Sequence, residues 1–389
     1  GSVAMRIELD KNIENVLAEK YLRRDELLSE YATTDNMAIR KDAYTPKIFR
    51  RQFIRDCEVV LNLPLFNRYA GKTQVFSLLD NDDISTRAYH VQLVSRIART
   101  IGSALSLNCD LIEAIALAHD LGHCPFGHRG EKLLDNVAKR NDYRFFHHVQ
   151  GARYLLNVVK SDLSLQVIDG VLCHNGEEVL PCYAPNEKSC KTFDDLQEKL
   201  ELAYLGKLND TDLMASTLEG CLVRICDVIA YVGKDRQDAE KLRYTRFNDF
   251  SDTILGKYNH EIISSLCADI INNSLGKNYI RISDDAYDAL MKIKDENYAL
   301  IYKGDHSEVD GYSDEKLQNI VDDVFNLILD DLKGDRKIID KYYRPYIYPN
   351  TPKVDEYLEE NKPFPHRIAI DMIASMSDRY LLTFHEKHC

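Results

Sequence analysis

Residues 110–131 read DLIEAIALAHDLGHCPFGHRGE, and this stretch decides the fold that we predict for the whole chain. Asp110 is a suitable N-cap, and Glu113, three positions later, would complete a capping box with it. The apolar residues that follow recur at helical spacing and give the helix a buried face. Gly122 suits the left-handed conformation in which many helices end. The stretch therefore predicts a buried helix followed by a turn.

His119 and Asp120 stand side by side at the predicted carboxyl end of this helix. A helix carries partial negative charge at that end, which favours a bound cation. Imidazole and carboxylate groups are common metal ligands, so one interpretation of the pair is a metal site. An adjacent histidine and aspartate also occur at solvated helix ends, and the pair alone does not decide between the two. Three further histidine-bearing segments nearby favour the metal.

The composition predicts a soluble, cytoplasmic protein without a membrane segment. The 389 residues carry a formal net charge of -13, with 44% hydrophobic and 29% charged residues. Such an acidic chain is not expected to bind nucleic acids or membrane surfaces in general. No apolar run approaches the roughly 20 residues that span a bilayer. The ten cysteines include no C-x-x-C pair, so we expect reduced cysteines in the core rather than a zinc or redox motif.

A second histidine lies on the apolar stripe of an earlier helix. His90, Val94, Ile97 and Ile101 recur at helical spacing, and Arg87 precedes His90 by one turn. A lone histidine on an apolar face is more often a core residue than a ligand. An arginine beside it does not fit core packing, because a buried guanidinium needs an anion. We therefore predict that this helix contributes side chains both to the core and to a polar site.

The segment after the central helix contains two more imidazoles, His123 and His128. If a new helix begins near Gly127, His128 and Glu131 share one face of it. The carboxylate could then hold the imidazole in one tautomer for acid-base chemistry. The other interpretation is an exposed ion pair at a helix start. His147 opens the next helical pattern, beside a second histidine.

A third helix carries a carboxylate within an apolar run. Ser216 and Glu219 predict a capping box at its start. Asp227, Tyr231 and Asp235 then follow at steps of four, and Asp227 lies inside the run CLVRICDVIAYV. Burial of an unpaired carboxylate there would cost free energy, so a metal ion or another cation must neutralise its charge.

The remainder of the chain also favours helices, and we predict an all-α fold with at most a short β element near residues 278–283. Gly71-Lys72-Thr73 is similar to the end of a P-loop, but Phe66 replaces the required glycine, so that interpretation fails. The stretches 177–212 and 342–352 are the candidate linkers, and we expect the first to be an irregular, flexible insertion. The predicted divisions are an amino-terminal helical arm at 1–54, a core at 55–245 and a carboxy-terminal helical region at 246–389.

His90, His119, Asp120 and Asp227 together form a candidate metal-ligand set. Two imidazoles and two carboxylates suit Mn, Mg, Co, Ni, Fe or Zn. Four protein ligands leave coordination positions for water and a substrate oxygen, which is the arrangement for metal-assisted hydrolysis.

These four residues match the H…HD…D signature of the HD superfamily of metal-dependent phosphohydrolases. The runs KTQVF, AIALAHDLGHCPFGH, DVIAY and ASMSDRY more closely resemble the deoxynucleoside triphosphate triphosphohydrolases, the dGTPase-like branch. The resemblance extends from about residue 55 to 380. It implies a helical HD-domain bundle, a divalent metal ion, hydrolysis of a dNTP to deoxynucleoside and triphosphate, and a homo-oligomer.

The resemblance also implies roles for individual residues. It assigns acid-base chemistry to His128 and Glu131 and places His147 in the active site. The residues implied to contact the substrate are Gln74, Arg87, His123, Tyr231 and Asp235. Within that group, Arg87 and His123 would bind phosphates, and the Tyr231 ring would exclude a 2'-hydroxyl.

Two departures from the family pattern change this picture. His148 stands where the bacterial branch has asparagine, and the stretch after Tyr231 reads VGKDRQDAEK. Lys234, Arg236 and Lys241 are therefore expected to handle phosphates in a way particular to this chain. Two other functions stay open at this point: another HD phosphohydrolase, such as a nucleoside monophosphatase, and a non-catalytic nucleotide sensor.

Overall fold

The computed structural model describes residues 6–175, 177–347 and 351–389, and its regular structure is almost entirely helical. The first six helices are α1 Lys11–Glu26, α2 Gln52–Leu61, α3 Pro64–Arg68, α4 Arg87–Ala104, α5 Cys109–Ala118 and α6 Gly127–Lys139. The next six are α7 His147–Arg153, α8 Leu165–Leu172, α9 Phe193–Tyr204, α10 Leu218–Lys241, α11 Asn259–Ser274 and α12 Asp284–Asn297. The last six are α13 Ser307–Asp310, α14 Asp314–Lys333, α15 Arg344–Ile347, α16 Thr351–Glu360, α17 Pro365–Ala374 and α18 Asp378–His388.

Short 3-10 or π-helical turns join or extend several of these helices. They occupy Asp35–Met37, Tyr69–Gly71, Tyr154–Val158, Phe247–Asp249, Tyr298–Tyr302 and Ile339–Tyr343. The strands of a two-residue antiparallel pair are β1 Cys182–Tyr183 and β2 Ile280–Arg281, in which Cys182 faces Arg281. The predicted all-α fold and the β element expected near residue 280 are both confirmed.

Four helices pack around the centre of the molecule: α4, α5, α8 and α10. α10 has 24 residues and is buried on nearly all sides, which is expected for a helix at the middle of a bundle. One continuous cluster of buried apolar side chains extends from Ala32 to Phe384 and includes residues of the arm, the core and the carboxy-terminal region. Within the described ranges, no helix is both long and apolar enough to cross a bilayer.

The predicted cap of α5 is wrong. Asn108 is the N-cap, and its side-chain oxygen accepts hydrogen bonds from the backbone N–H groups of Asp110 and Leu111 at 3.2 and 3.4 Å. The chain enters the helix two residues earlier than expected, because an asparagine caps as well as an aspartate. Asp110 instead lies in the first turn and accepts a hydrogen bond from Arg24.

The predicted capping box of α10 is also wrong. Thr217 is the N-cap, and its hydroxyl accepts from the backbone N–H of Gly220 at 3.0 Å. Ser216 hydrogen-bonds Asp169 of α8 instead. Glu219 is fully buried and accepts from the backbone N–H of Thr33 at 2.7 Å, so it fastens the amino-terminal arm to α10.

The segment 177–212 is not irregular throughout, so the expectation of an irregular segment is wrong. It contains β1 and the twelve-residue helix α9, whose start is closed by a capping box between Thr192 and Asp195. Lys199 on α9 forms a buried ion pair with Asp169 at 2.8 Å. Although the segment is rich in charged residues, α9 has a buried apolar face, which is formed by Leu196, Leu200, Ala203 and Tyr204.

The other predicted linker, 342–352, falls partly outside the described residues. Its residues 348–350 belong to that undescribed part, while 342–347 complete a π-helical turn and form α15, and 351–352 begin α16.

Candidate active site

Side chains from three helices converge at the centre of the bundle. His90 lies in α4, His119 caps the end of α5, Asp120 follows it, and Asp227 lies in the middle of α10. His90 Nε2 is 2.7 Å from Asp227 Oδ1, and His119 Nε2 is 3.4 Å from the same oxygen. Asp120 is 3.4 Å from His119 Nε2 through Oδ1 and 3.7 Å from His90 Nε2 through Oδ2. The structure thus brings the four predicted metal ligands to one point.

The donor atoms fit a divalent cation. The Nδ1–H of His119 donates to the carbonyl of Ala116 at 2.6 Å, which leaves a lone pair on Nε2. This Nε2 is buried, and within the described part of the chain it has no hydrogen-bond partner. Ligands about 2.1 Å from a common ion lie roughly 3 Å apart, close to the separations between these atoms. The described residues therefore include histidine and aspartate clusters able to hold a metal ion.

The buried carboxylates of Asp120 and Asp227 are stabilised by neighbouring positive charge. Burial by itself would raise the pKa of Asp120, but His119 and Arg87 outweigh it and hold the pKa well below its usual range. Burial would likewise raise the pKa of Asp227, and His119 and His90 lower it well below its usual range. Burial would lower the pKa of His119, but the two carboxylates outweigh burial and raise the pKa to about 9. In the absence of a metal, His119 therefore takes up a proton to balance these acids.

Arg87 lies beside the cluster and keeps free donors. Its NH1 donates to Asp120 Oδ2 at 2.9 Å, and both side chains are almost fully buried. Its Nε and NH2 groups are buried and have no hydrogen-bond partner among the residues that the structure describes. A guanidinium with two unused N–H groups inside a site fits an anionic ligand.

Glu131 joins two of the predicted acid-base residues, and its closer partner is His147. Glu131 accepts from the backbone N–H of His147 at 2.9 Å, and its Oε1 is 3.0 Å from His147 Nδ1. His128 Nδ1 is 3.5 Å from Oε2, and the His128 side chain is 54% exposed. The spacing on α6 correctly places His128 and Glu131 on one face, but it says nothing about α7, which delivers His147.

Burial and neighbouring charges set the protonation of these residues in opposite directions. Burial would raise the pKa of Glu131, but His147 and His128 lower it well below its usual range. Burial would lower the pKa of His147, but Glu131 outweighs burial and raises it. Burial, together with the nearby Arg87, keeps the pKa of His123 well below its usual range. His123 stacks on His147 with 4.5 Å between ring centroids, so a neutral ring lies against a ring that favours the charged form.

His174 belongs to this cluster, and the sequence analysis assigned it no role. The side chain is fully buried, and its Nε2 is 3.1 Å from His147 Nε2 and 3.9 Å from Asp120 Oδ1. One signal could have found it: like His119, it lies just after the end of an apolar helix, two residues beyond Leu172. His148 is also buried, stacks on Phe146, and leaves its Nδ1 without a partner.

The predicted sugar-contacting residues line a pocket next to the cluster. The predicted residues in its wall are Gln74, Tyr231, Lys234 and Asp235. His90 lines the same pocket, so the pocket and the cluster are adjacent. Burial raises the pKa of Asp235 to about 7. Tyr302, which sequence reasoning did not identify, donates its hydroxyl hydrogen to Asp235.

Two loops pack closely to bring the histidines together. A Cβ on Gly122 would lie 2.1 Å from the carbonyl oxygen of His147 and from the backbone nitrogen of Gly151. Gly122 does not have a positive φ, so the left-handed conformation expected for it is wrong. Its role is the close approach of the loop that carries His123 to the start of α7.

The left-handed residues of this loop are Phe126 and Gly127, with φ of 68° and 58°. The backbone N–H of Phe126 donates to Asp378 of α18 at 2.9 Å. Buried Lys72 donates to the carbonyl oxygens of His123 and Ala374. The KTQVF and ASMSDRY segments, distant in sequence, thereby hold the loop that carries His123 and leads into α6, the helix of His128.

Comparison with known proteins agrees with this arrangement. The HD domain family matches residues 87–231, a range that contains all four converging side chains. Among its relatives, a deoxyguanosinetriphosphate triphosphohydrolase-like protein from Caldanaerobacter subterraneus subsp. tengcongensis is 30% identical over 365 residues, or 92% of this chain and 90% of that protein. A protein of the same name from Desulfatibacillum aliphaticivorans is 28% identical, over 95% of this chain and 97% of that protein. Another from Clostridium perfringens is 29% identical, over 96% of this chain and 95% of that protein. A likeness that extends over nearly the whole of both chains, and through the segments that build the cluster, shows that this chain belongs to the family of deoxyguanosinetriphosphate triphosphohydrolase-like proteins with an HD domain.

Proposed function

We propose that this protein is a metal-dependent hydrolase that converts a deoxynucleoside triphosphate to the deoxynucleoside and inorganic triphosphate. The HD domain and the names of the relatives support a phosphohydrolase. One observation carries the finer proposal. His90 belongs both to the histidine and aspartate cluster and to the wall of the pocket that contains Gln74, Tyr231 and Asp235. A nucleoside in that pocket would present its 5'-phosphate to the cluster.

We assign His90, His119, Asp120 and Asp227 as the ligands of one divalent ion, drawn from Mn, Mg, Co, Ni, Fe or Zn. The free lone pair on His119 and the charged carboxylates support this assignment. When bound, such an ion supplies Lewis-acid polarisation of a phosphate oxygen.

Arg87 and His123 would bind the phosphate chain. Arg87 has two buried N–H groups without partners, and these are suited to two phosphate oxygens. His123 also has a buried Nδ1 without a partner, and its low pKa makes it a neutral hydrogen-bond donor at pH 7. Lys234, partly buried in the pocket wall, would add positive charge near the same phosphates.

His128 would move the proton at the scissile bond. Its Nδ1 faces Glu131, so its Nε2 is left to exchange a proton with the attacking water or the leaving 5'-oxygen. Its partial exposure fits a group that must meet water and substrate. His147 binds the same carboxylate more closely, so Glu131 would hold both rings in position.

The pocket would select the sugar. Gln74 would contact the 3'-hydroxyl, and Asp235, supported by Tyr302, would contact a second polar atom of the nucleoside. The Tyr231 ring would occupy the space of a 2'-hydroxyl, which makes deoxyribonucleotides the preferred substrates.

The test is product analysis with the four dNTPs and the four NTPs, each with Mn, Mg and Co in turn. We expect inorganic triphosphate and deoxynucleoside, detected by ion-exchange chromatography, and faster turnover of dNTPs than of NTPs. Release of single phosphate or pyrophosphate would contradict the proposal. Hydrolysis of nucleoside monophosphates alone would identify the other kind of HD phosphohydrolase.

A His128→Ala variant separates an enzyme from a nucleotide sensor. We expect the variant to bind dNTP in the presence of Ca²⁺ or another non-supporting ion with little change in Kd, while turnover falls by roughly 10² to 10⁴-fold. A parent protein that binds dNTP without turning it over under any metal would establish the sensor instead.

We also propose that the chain forms a homo-oligomer through its amino-terminal arm. α1 has no buried side chain, and Ile13, Val16 and Leu22 are each more than half exposed. Burial of these side chains against a second copy of the chain would remove apolar area from water. Light scattering of the parent and of a chain in which these three residues are changed to serine would measure the contribution of the arm.

A further inference from the structure

Asp378, the first residue of α18, is buried and accepts hydrogen bonds from two segments that are distant in sequence. Its Oδ1 accepts from the backbone N–H of Phe126 at 2.9 Å, and its Oδ2 accepts from the hydroxyl of Thr73 at 2.9 Å. Phe126 is the N-cap of α6, and Thr73 directly precedes Gln74. One carboxylate therefore joins the start of the helix that carries His128 to the residue before the proposed sugar ligand.

The hydrogen bond from Phe126 fixes a backbone in an unusual conformation. Phe126 is left-handed, with φ of 68°, which costs free energy for a residue other than glycine. Such a conformation persists only where the surrounding structure holds it, and the bond to Asp378 contributes to that. The dihedral angles of Phe126 and Gly127 set the direction in which α6 leaves the loop. They therefore set the position of His128, the second residue of α6.

The segment of Gln74 also packs directly on this loop. A Cβ on Gly127 would lie 2.6 Å from the carbonyl oxygen of Gln74, so the two backbones approach as closely as a glycine allows. The backbone N–H of Arg87 donates to the carbonyl oxygen of Lys72 at 2.9 Å. A displacement of residues 72–74 would therefore shift the start of α6 and the proposed phosphate ligand Arg87.

We propose that Asp378 is a positioning residue that couples recognition of the sugar to proton transfer. The inference rests on the proposed function, in which Gln74 contacts the 3'-hydroxyl and His128 moves the proton at the scissile bond. The contact with the 3'-hydroxyl would order residues 72–74, and Asp378 would pass that order to Phe126 and the start of α6. The preferred substrates are then nucleotides with a free 3'-hydroxyl, which the enzyme turns over faster as well as binding more tightly.

The parent protein gives the first test, in which each dNTP is compared with the corresponding 2',3'-dideoxynucleotide. We expect loss of the 3'-hydroxyl to lower kcat by about 10 to 100-fold, because displacement of a catalytic group by about 1 Å can cost as much as 100-fold. A hydroxyl used for binding alone would change KM and leave kcat as it is. Equal kcat values for the two substrates would overturn the proposal, and this comparison needs no variant.

Variants test whether Asp378 carries the dependence on the 3'-hydroxyl. In Asp378→Ala we expect the two kcat values to agree within about threefold, because the variant and the dideoxynucleotide remove the same coupling. Thr73→Val removes only the second hydrogen bond and should lower the ratio of the two kcat values in part, whereas Thr73→Ser should keep it. A ratio that stays at the parent value in both Asp378→Ala and Thr73→Val would contradict the proposal.

Asp371→Ala is the matched control for a merely structural role. Asp371 is also a buried aspartate, on α17, and it accepts hydrogen bonds from Gln150 and Arg153. Its loss should destabilise the fold and lower both kcat values together, so that their ratio stays at the parent value. Circular dichroism melts measure the loss of stability in each variant. An equal collapse of the ratio in this control would assign the effect to general loosening of the fold and would overturn the proposal.

A signal that needs no turnover separates this proposal from the proposed function. NMR follows the ¹⁵N-labelled imidazole of His128 while a dNTP or its dideoxy analogue binds in Ca²⁺, and the His128→Gln variant identifies the resonance. We expect the resonance to shift further with the dNTP in the parent and equally with both ligands in Asp378→Ala. A chain that shows this difference but releases no triphosphate would refute only the function. A chain that releases triphosphate without any dependence on Asp378 would refute only the coupling.

Discussion

Two short apolar helices of this protein end in the same way. α5 is followed by His119, whose Nδ1–H donates to the carbonyl three residues earlier, and α8 is followed within two residues by His174, which does the same. Both rings are fully buried, and both direct Nε2 into the cluster. The next residue differs: Asp120 follows His119 and enters the cluster, whereas Asn175 follows His174 and donates to Asp210 at 2.6 Å.

The two rings also differ in protonation, although their local geometry is alike. Burial would lower the pKa of His119, but Asp120 and Asp227 raise it to about 9. Burial, reinforced by His119 and His147, lowers the pKa of His174 to about 3. The comparison teaches that the helix end sets the direction of an imidazole, while its neighbours from other helices set its charge and its function.

The largest expected effect comes from the first ring. His119→Gln removes a proposed ligand of the divalent ion, and activity should fall by more than about 100-fold, because loss of even an outer-shell partner commonly costs 10 to 100-fold. Steady-state kinetics and Mn²⁺ counting check this. Retention of the bound Mn²⁺ in the variant would show that His119 is not a ligand of the ion and does not differ from His174 in this respect.

The same substitution in the second ring should have a smaller effect. His174→Gln should lower activity by about 10 to 100-fold through its influence on His147, whose Nε2 it contacts at 3.1 Å. A loss as great as that of His119→Gln, together with loss of bound Mn²⁺, would show that the two rings serve one ion.

The Asn175→Asp variant tests whether a histidine and aspartate pair at a helix end is sufficient to bind a metal ion. We expect no additional ion, because the new carboxylate would face Asp210 rather than the cluster. The lost hydrogen bond and the new repulsion should destabilise the fold by about 1 to 3 kcal/mol, measured by denaturant unfolding. Asn175→Ala is the control that removes the hydrogen bond without adding charge. A gain of one bound ion in the aspartate variant would refute this expectation.

The smallest effect is the pH dependence of the metal-free protein. The raised pKa of His119 contributes stability that is fully present below about 6.5, and this contribution is lost as the pH rises through about 9. The lowered pKa of His174 contributes no penalty above about 6.5, but it costs stability as the pH falls towards about 3. Thermal melts in a chelator should show that His119→Gln flattens the alkaline side and His174→Gln the acid side. The opposite assignment would contradict the pKa directions.

Much of the fold and the first four site residues could be predicted because the relevant patterns are local. The apolar periodicity between 111 and 117 predicts a buried helix, and the costly position of Asp227 within an apolar run predicts a cation. The face shared by His128 and Glu131 follows from helix geometry alone. The caps of α5 and α10 were misplaced because several neighbouring residues can cap equally well, and only the path of the entering chain selects one.

The sequence by itself determined that the chain is helical and where each buried helix carries its polar residues, because helical periodicity depends only on residues a few positions apart. Tertiary structure alone decided that Glu131 bonds His147 more closely than His128, that Tyr302 supports Asp235 and that His174 faces His147. These contacts join separate helices and loops, and their distances depend on how the elements pack. That packing includes the close approach of Gly122 to the start of α7. It also includes the hydrogen bonds that join Lys72 to the carbonyl oxygen of His123 and Asp378 to the backbone N–H of Phe126.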